Sequence, residues 1–195
     1  MQSLVFLAKT SSSNEWKVVA STISTLVEEA TFEATVEGLA FRAMDPSHIA
    51  LVDLFWPNSA FEKYECDKQF KFTVRVEDFS KLIKRADAKD SIEITTTDEE
   101  TLLLKFSNSY VREFKLHLIE STAGPTPLPK LSFNTKIIMT SATFQRILSD
   151  ISTVSDHIAI EVSKEKVVFT GKGDAGSASA TLEKKSPEIM ELEVK

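Results

Sequence analysis

The basic residues of one short segment have the spacing of a binding surface. Lys81, Lys84 and Arg85 occur at i, i+3 and i+4 in a segment whose apolar positions include Phe79 and Ile83. A helix with this spacing carries its cations on one side and buries the other side. Such a side either binds phosphate groups or is only a solvated helix surface, and the spacing alone leaves both alternatives open.

A glycine-rich motif, Gly171–Gly176, matches the GxGxxG pattern of dinucleotide-binding loops. The phosphate-binding form of this motif requires a helix to begin at its end, because the helix N-terminus binds the pyrophosphate. The residues that follow, Ser177–Leu182, alternate in side-chain size and polarity as a strand does. We therefore predict a glycine-rich connection between strands and no nucleotide site.

The histidines and acidic residues do not form a catalytic or metal-binding pattern. His48, His117 and His157 are far apart in the sequence, and none has a partner at the spacing of a zinc site. Asp45 precedes His48 closely, but neighbours in an extended segment point to opposite sides, so we predict a turn before a strand and no triad. The sequence therefore predicts a protein without enzymatic activity, cofactor or metal.

The composition is that of a globular protein with room for one large domain or two small ones. The 195 residues are 42% hydrophobic and 27% charged, and the net charge is −6. An acidic chain binds nucleic acid only through a local basic surface. A single cysteine, Cys66, is typical of a reducing compartment, and no apolar run is long enough to span a membrane. We expect a cytoplasmic protein with no membrane partner.

Three stretches of the chain share one plan, in which a short strand and a helix are followed by two or three alternating strands. Apolar residues at a 3.6-residue period predict helices over Asn14–Val27, Glu77–Ala86 and Ala142–Ser152. The opening strands are predicted at Leu4–Leu7, Phe70–Val74 and Lys136–Met139, and hairpin turns at Glu37-Gly38, Asp98–Glu100 and Lys164-Glu165. Asn14 and Ser141 are candidate N-caps. The fold class predicted from this plan is α+β.

A proline-rich segment separates the second copy from the third. Its three prolines at alternate positions exclude a helix or a central strand. We predict a first domain of two copies at 1–120, a connector at 121–133 and an incomplete second domain at 134–195. The tail, Ile189–Val194, alternates as the opening strand of a fourth copy would, so the chain is short of that copy by about fifty residues.

One long string of residues carries a specific resemblance. Phe41–Val52 (FRAMDPSHIALV) and then Phe61–Asp67 (FEKYECD) closely resemble the proliferating cell nuclear antigen type of DNA sliding clamp, in its archaeal and eukaryotic form. The resemblance runs along the chain and includes the connector and Asp150–Phe169. It implies the DNA-clamp fold, with two similar domains per subunit and three subunits in a ring, the helices lining the hole and the sheets outside.

The resemblance also implies a function. A clamp of this type is a DNA polymerase processivity factor without catalytic activity that encircles duplex DNA and tethers replication and repair enzymes. The implied partners are double-stranded DNA of any sequence, further copies of the chain in a homotrimer, and the clamp loader, DNA polymerase, flap nuclease and DNA ligase through short peptide motifs. The implied location is the nucleoid, or the nucleus in a eukaryote. Two alternatives stay open: a subunit of a hetero-oligomeric or specialised clamp, and a ligand-binding α+β domain unrelated to DNA.

The resemblance assigns three sets of residues by position. The DNA-facing set is Lys17, Lys81, Lys84, Arg85 and Arg146, while Ser24 and Ser149 stand where relatives often carry a base. The partner-peptide pocket is formed by a Met44–Leu51 strand and the connector, through Met44, His48, Ile49, Leu51, Leu128, Pro129 and Phe133; one of Ile49 and Leu51 is alternatively a plain core residue. The subunit interface pairs the edge strand Tyr110–Lys115 with the neighbour's Ala175–Leu182, through Tyr110, Arg112, Phe114, Ala178 and Ala180.

Overall fold

The computed structural model describes residues 6–96, 100–121 and 126–195. The chain divides into two units, Met1–Leu128 and Pro129–Lys195, and the division falls inside the predicted connector. Parts of three predicted features lie outside the described residues: Leu4 and Val5 of the first strand, Asp98 and Glu99 of the second hairpin turn, and Thr122–Pro125 of the connector.

The first unit follows the predicted plan twice. Its described residues form, in chain order, β1 (Phe6–Thr10), α1 (Asn14–Ser24), β2 (Glu29–Thr35), β3 (Gly38–Met44), β4 (Leu51–Pro57), a 3₁₀ turn (Asn58–Ala60), β5 (Lys63–Cys66), β6 (Phe70–Arg75), α2 (Val76–Ile83), β7 (Ser91–Thr96), β8 (Thr101–Ser107) and β9 (Val111–His117).

The two copies interleave in the sheets of this unit. One sheet has the strand order β5-β1-β7-β8-β9 and the other β4-β3-β2-β6. The opening strand of each copy therefore pairs with the other copy: β1 pairs antiparallel with β7, and β6 pairs antiparallel with β2. Because strands need partners for their backbone hydrogen bonds, neither copy completes its sheets alone.

Aromatic side chains fill the core between the helices and the sheets. The ring of Phe32 lies 5.4 Å from Phe41 and 5.2 Å from Phe72, and the ring of Trp16 lies 6.1 Å from Phe79. Trp16 on α1 and Phe79 on α2 are both fully buried. Burial of each such side chain contributes roughly 1.5–3 kcal/mol. The contact fixes α1 beside α2 and so positions the outer surfaces of both helices.

The second unit contains one copy of the plan. Its strands and helix are β10 (Thr135–Met139), α3 (Ser141–Ser152), β11 (Ala159–Val162), β12 (Lys166–Gly173), β13 (Gly176–Glu183) and β14 (Ile189–Val194). The sheets are β10-β14 and β11-β12-β13. A separate core holds Ile147 and Ile151 of α3 against Val167 and Phe169 of β12. In the described part of the chain, none of the helices has the length and apolar character needed to cross a membrane.

The prediction that Ile189–Val194 opens a fourth copy is wrong. This strand, β14, pairs antiparallel with β10 just as β5 pairs with β1. It is therefore the last strand of the third copy. Alternation in a sequence identifies a strand and its buried side, but it does not identify the strand with which it pairs.

The predicted helix ends and N-caps also need correction. α1 ends at Ser24, before Val27, and α2 ends at Ile83, before Ala86. After α2, the backbone N–H groups of Arg85 and Ala86 donate to carbonyls three positions back. This 3₁₀-type turn continues the helical spacing of apolar residues past the end of the helix. Asn14 and Ser141 are the first residues inside their helices, and neither N-cap residue, Ser13 or Thr140, makes a side-chain capping bond. The Ser13 hydroxyl instead donates to the Asp87 carbonyl at 2.8 Å.

The prediction of a glycine-rich strand connection is confirmed. Gly173 and Gly176 are paired across the turn that joins β12 to β13. Gly176 has a φ of +145°, a conformation that favours glycine, and a Cβ on Gly173 would clash with the Val154 carbonyl. The motif thus shapes a hairpin and does not open a helix.

Candidate functional site

The packing of α1 against α2 brings basic side chains to one region of the first unit. Lys81 of α2 and Lys84 just beyond its end line a cleft of about 540 Å³ between the end of α1 and the start of α2. Arg85 is exposed beside them, and Lys17 lies half-buried on α1. Arg146 is exposed on α3 of the second unit. The structure therefore groups Lys81, Lys84 and Arg85, although Lys84 and Arg85 follow the helix and are not on it.

The cations of this group differ in their partners. Lys81 Nζ donates to Glu77 Oε1 at 2.6 Å, one helical turn earlier. Their hydrogen bond raises the pKa of Lys81 and lowers the pKa of Glu77. Among the described residues, neither Lys17 nor Lys84 makes an ion pair with an acidic side chain. Lys81 thus has an ion-pair partner, whereas Lys84 has none among the described residues.

The predicted Met44–Leu51 strand is wrong: Met44 ends β3, Leu51 begins β4, and residues 45–50 form a loop between them. The Asp45 carboxylate accepts hydrogen bonds from the backbone N–H groups of Ile49 and Ala50, both at 2.7 Å, and of Ser47 at 3.1 Å. These bonds, that from Ala50 first, lower the pKa of Asp45. The carboxylate therefore stays charged and holds the loop at neutral pH.

The loop held by Asp45 presents two of the predicted pocket residues to solvent. Ile49 is 87% exposed, so it is not a core residue. His48 is also exposed and has a φ of +59°, which is uncommon for a residue with a side chain. The Asp45 carboxylate accepts from Ser47 and Ile49 on either side of His48 and stabilises this backbone conformation.

Met44 and Leu51 are directly opposite each other on the outer surface of the β3–β4 pair. The next outward pair is Arg42 and Asp53, joined by an ion pair at 2.8 Å. The pair after that contains Phe55, which is 57% exposed. Along the two strands, an apolar cross-strand pair is therefore followed by a charged pair and then by a second apolar pair.

A second cleft, of about 450 Å³, lies where the start of the connector meets this sheet. Its described lining includes Met44, Arg42, Ser121 and Thr126, but not His48, Ile49, Leu51 or Leu128. The Thr31 hydroxyl donates to the Ser121 hydroxyl at 3.2 Å and so holds the connector against β2. The structure thus brings Met44 and the first part of the connector together.

The remaining predicted pocket residues, Leu128, Pro129 and Phe133, are exposed to solvent. Leu128 is 54% exposed at the end of the first unit. Pro129 and Phe133 belong to the second unit, and Phe133 is 70% exposed. Large apolar side chains in such positions are typical of interaction surfaces.

The predicted interface residues lie on or beside two edge strands, β9 and β13. The side chains of Phe114, Ala178 and Ala180 pack against the cores of their own units. Their place in a subunit interface stays a prediction. The side chains left exposed at the start of β9 are Tyr110, at 64%, and Val111, at 56%. The alternating pattern of a strand shows which side chains are buried. It does not show which residues pair with a neighbouring chain, because an edge strand pairs mainly through its backbone N–H and C=O groups.

Arg112 is likewise bound within its own unit. Its guanidinium pairs with the buried Asp90, lies 5.7 Å from the Phe106 ring centre, and donates to the Arg85 carbonyl at 2.9 Å. The place of Arg112 in a subunit interface stays a prediction, which rests on the backbone of β9 and not on this side chain. The contact holds the chain after α2, where Lys84 and Arg85 lie, against the five-stranded sheet.

Sequence reasoning missed two contacts that shape this site, those made by Asp45 and by Glu77. An aspartate before Pro-Ser commonly accepts hydrogen bonds from the backbone that follows, and a glutamate four residues before a lysine commonly pairs with it. Both signals were present in the sequence.

The described residues contain no cluster of three histidine, cysteine or acidic side chains that could hold a metal ion. The single thiol, on Cys66, is buried and donates to the Lys68 carbonyl at 3.1 Å. Burial raises its pKa. A thiol in this environment is a poor nucleophile.

Comparison with known proteins gives two family matches in chain order. Residues 5–123 match the N-terminal domain of proliferating cell nuclear antigen, and residues 127–193 match its C-terminal domain. The DNA polymerase sliding clamp of Nitrosopumilus maritimus is 53% identical over 192 residues, which are 98% of this chain and 77% of that protein. That of Cenarchaeum symbiosum is 50% identical over the same lengths.

Solved structures agree with these matches. Proliferating cell nuclear antigen (PCNA) from Thermococcus kodakaraensis has a TM-score of 0.88 and 27% identity, covering 98% of this chain and 78% of its own. The protein from Entamoeba histolytica has a TM-score of 0.86 and 26% identity, covering 99% of this chain and 78% of its own.

Replacement of Asp45 with alanine should release the loop at residues 45–50. The backbone N–H groups of Ile49 and Ala50 lose their charged acceptor, so their hydrogen exchange should accelerate by about tenfold, the scale of one such bond. Amide exchange followed by NMR measures this. Asp53→Ala, which removes the neighbouring ion pair with Arg42, is the control and should leave both amides unchanged. Unchanged exchange in Asp45→Ala would show that the carboxylate does not hold the loop.

Proposed function

Because the chain belongs to the proliferating cell nuclear antigen family, whose members are DNA polymerase sliding clamps, we propose that it closes into a homotrimeric ring around duplex DNA. The function of the family is that of a processivity factor, which keeps a polymerase on its template. The observation that carries the proposal is the pair of family domains, matched in order along nearly the whole chain. The clamp contributes no reaction of its own, and it acts where chromosomal DNA is replicated and repaired.

The helices are the proposed DNA-facing elements. Lys17 on α1, Lys84 and Arg85 after α2, and Arg146 on α3 are exposed or half-exposed cations on an acidic chain. Contacts between such cations and phosphate do not distinguish base sequences, and they weaken as salt rises. This is what a clamp that slides over any sequence requires.

The proposed ring contact pairs β9 of one subunit with β13 of the next. Both are edge strands, and an exposed edge pairs readily with another chain. A contact between two different edges is head-to-tail, and it gives a closed ring when the rotation closes. The exposed Tyr110 and Val111 at the start of β9 would be covered by this contact.

The proposed docking site for partner proteins is the outer surface near the connector. Met44 and Leu51 form an apolar cross-strand pair beside the cleft. Ile49 extends from the loop held by Asp45, and Leu128 supplies an exposed side chain of the connector. A short peptide with aromatic and aliphatic anchors fits such a surface, and methionine adapts to several partners. DNA polymerase, the clamp loader, flap nuclease and DNA ligase are the proposed users.

Replacement of Val111 with aspartate should weaken self-association. An unpaired charge would be buried at the β9 edge, at a cost of about 1–3 kcal/mol per contact. Sedimentation velocity over a concentration series measures the shift in the association constant. Val36→Asp is the matched control, because Val36 is similarly exposed, at 62%, on the β2–β3 turn away from the edge.

Wild-type protein and Val36→Asp should then sediment alike, and Val111→Asp should be the smaller species. Equal sedimentation of all three as an oligomer would place the subunit contact elsewhere. A wild-type chain that stays monomeric at every concentration would favour the alternative of a hetero-oligomeric clamp.

Replacement of Leu128 with alanine should weaken binding of a partner peptide while the fold is retained. The side chain is an exposed apolar anchor, so its loss should cost about 1–3 kcal/mol of binding free energy. Calorimetry with a peptide containing glutamine and aromatic anchors measures this. Leu131→Ala is the control, since Leu131 is 65% exposed in the same segment and is not assigned to the pocket. Equal affinity of Leu128→Ala and wild type would remove the connector from the docking site.

A further inference from the structure

The cleft beside α2 is lined by equal numbers of positive and negative side chains. Three cations and three carboxylates line it: Arg75, Lys81 and Lys84 with Glu28, Glu29 and Glu77. A phosphate that approaches Lys81 or Lys84 therefore also approaches acidic side chains. Because like charges repel, these carboxylates reduce the attraction of the cleft for a phosphate.

The neighbouring surface of α1 adds little attraction. Its last turn carries no basic residue and presents hydroxyl groups. Ser24 Oγ donates to the Ser21 carbonyl and Thr25 Oγ1 to the Thr22 carbonyl, both at 2.8 Å. Because those hydroxyl protons are used within the helix, they do not donate to a phosphate in this conformation.

Glu77 is the carboxylate that acts most directly on a proposed DNA contact. It accepts from Lys81 Nζ at 2.6 Å, and both side chains are solvent-exposed, 71% for Glu77 and 66% for Lys81. Its position in the first turn of α2 favours a negative charge, so the carboxylate remains ionised beside the lysine.

We propose that Glu77 weakens the hold of this clamp on the DNA backbone by pairing with Lys81, so that Lys84 carries more of the phosphate contact than Lys81. This inference rests on the proposed function, in which the helices face DNA. A weak contact with few counterions released lets a ring move along the duplex with little resistance. Glu77 is thus a regulating residue of the DNA-facing surface, and it does not itself contact the DNA.

A purely structural role for the pair gives different expectations. An exposed ion pair between residues i and i+4 stabilises a helix only slightly. If that were its whole role, Glu77→Gln would change the melting temperature slightly and leave the salt dependence of DNA binding unchanged. The salt dependence therefore separates the two roles.

The test is the affinity of the purified chain for a fluorescein-labelled duplex of mixed sequence, measured by anisotropy over a salt series. Glu77→Gln should bind about two- to fivefold more tightly than wild type at low salt, the range of one exposed charge interaction. Its slope of log affinity against log salt should be steeper by up to about 0.9, one additional phosphate contact. Lys84→Gln should weaken DNA binding by a comparable factor, and Lys81→Gln should weaken it less than Lys84→Gln does.

Glu62→Gln is the matched control. Glu62 also pairs with a lysine, Lys9, at 2.7 Å, but the pair lies at β1 and the start of β5, away from the helices. This variant should bind DNA as wild type does. Sedimentation of each variant verifies that the assembly state is equal.

The inference is overturned if Glu77→Gln has the affinity and slope of wild type, or if Lys81→Gln loses as much as Lys84→Gln. If instead Lys84→Gln also binds as wild type does, the DNA-facing assignment fails and the inference falls with it. Stimulation of a polymerase by wild type, assayed in parallel, distinguishes that outcome from failure of the clamp function itself.

Discussion

The exchange of opening strands between the two copies is the interaction on which the first unit depends. β1 completes its hydrogen bonding with β7, and β6 completes its own with β2. This exchange forces α1 and α2 to lie side by side, where Trp16 and Phe79 are buried between them. The cleft beside Lys81 and Lys84 follows from it, because that cleft is lined by residues of both copies.

The two surfaces differ in chemistry because the elements that carry them differ. The helices place charged and hydroxyl side chains outward at a 3.6-residue period, and the Glu77–Lys81 pair shows that this surface is not simply basic. On the outer sheet, the cross-strand pair Met44 and Leu51 is followed by the Arg42–Asp53 ion pair. A sequence-blind contact suits the first chemistry, and recognition of short peptides suits the second.

Sequence periodicity was sufficient to predict which helices and strands form, but not where they end or with which strands they pair. The helix spacing around Phe79 and the hairpin at Gly171–Gly176 were predictable because each rests on local geometry. The end of α2 and the assignment of β14 were not, since an apolar period continues through a 3₁₀ turn and alternation does not name a pairing strand. The same limit explains why the contact of the Phe114 side chain with the core was not predicted, because its burial depends on which side of β9 faces the core.

Retention on circular against linear DNA tests the central claim, that this chain functions as a ring around the duplex, most directly. The labelled protein would be loaded onto a nicked circular plasmid with a clamp loader and ATP, and its co-elution with DNA measured before and after the plasmid is cut once. A ring held by topology stays on the circle, leaves the cut molecule at its ends, and is retained again when the ends are blocked. Equal retention on circular and cut DNA would contradict the account, because it would mean that the protein is held by direct binding and not by encirclement.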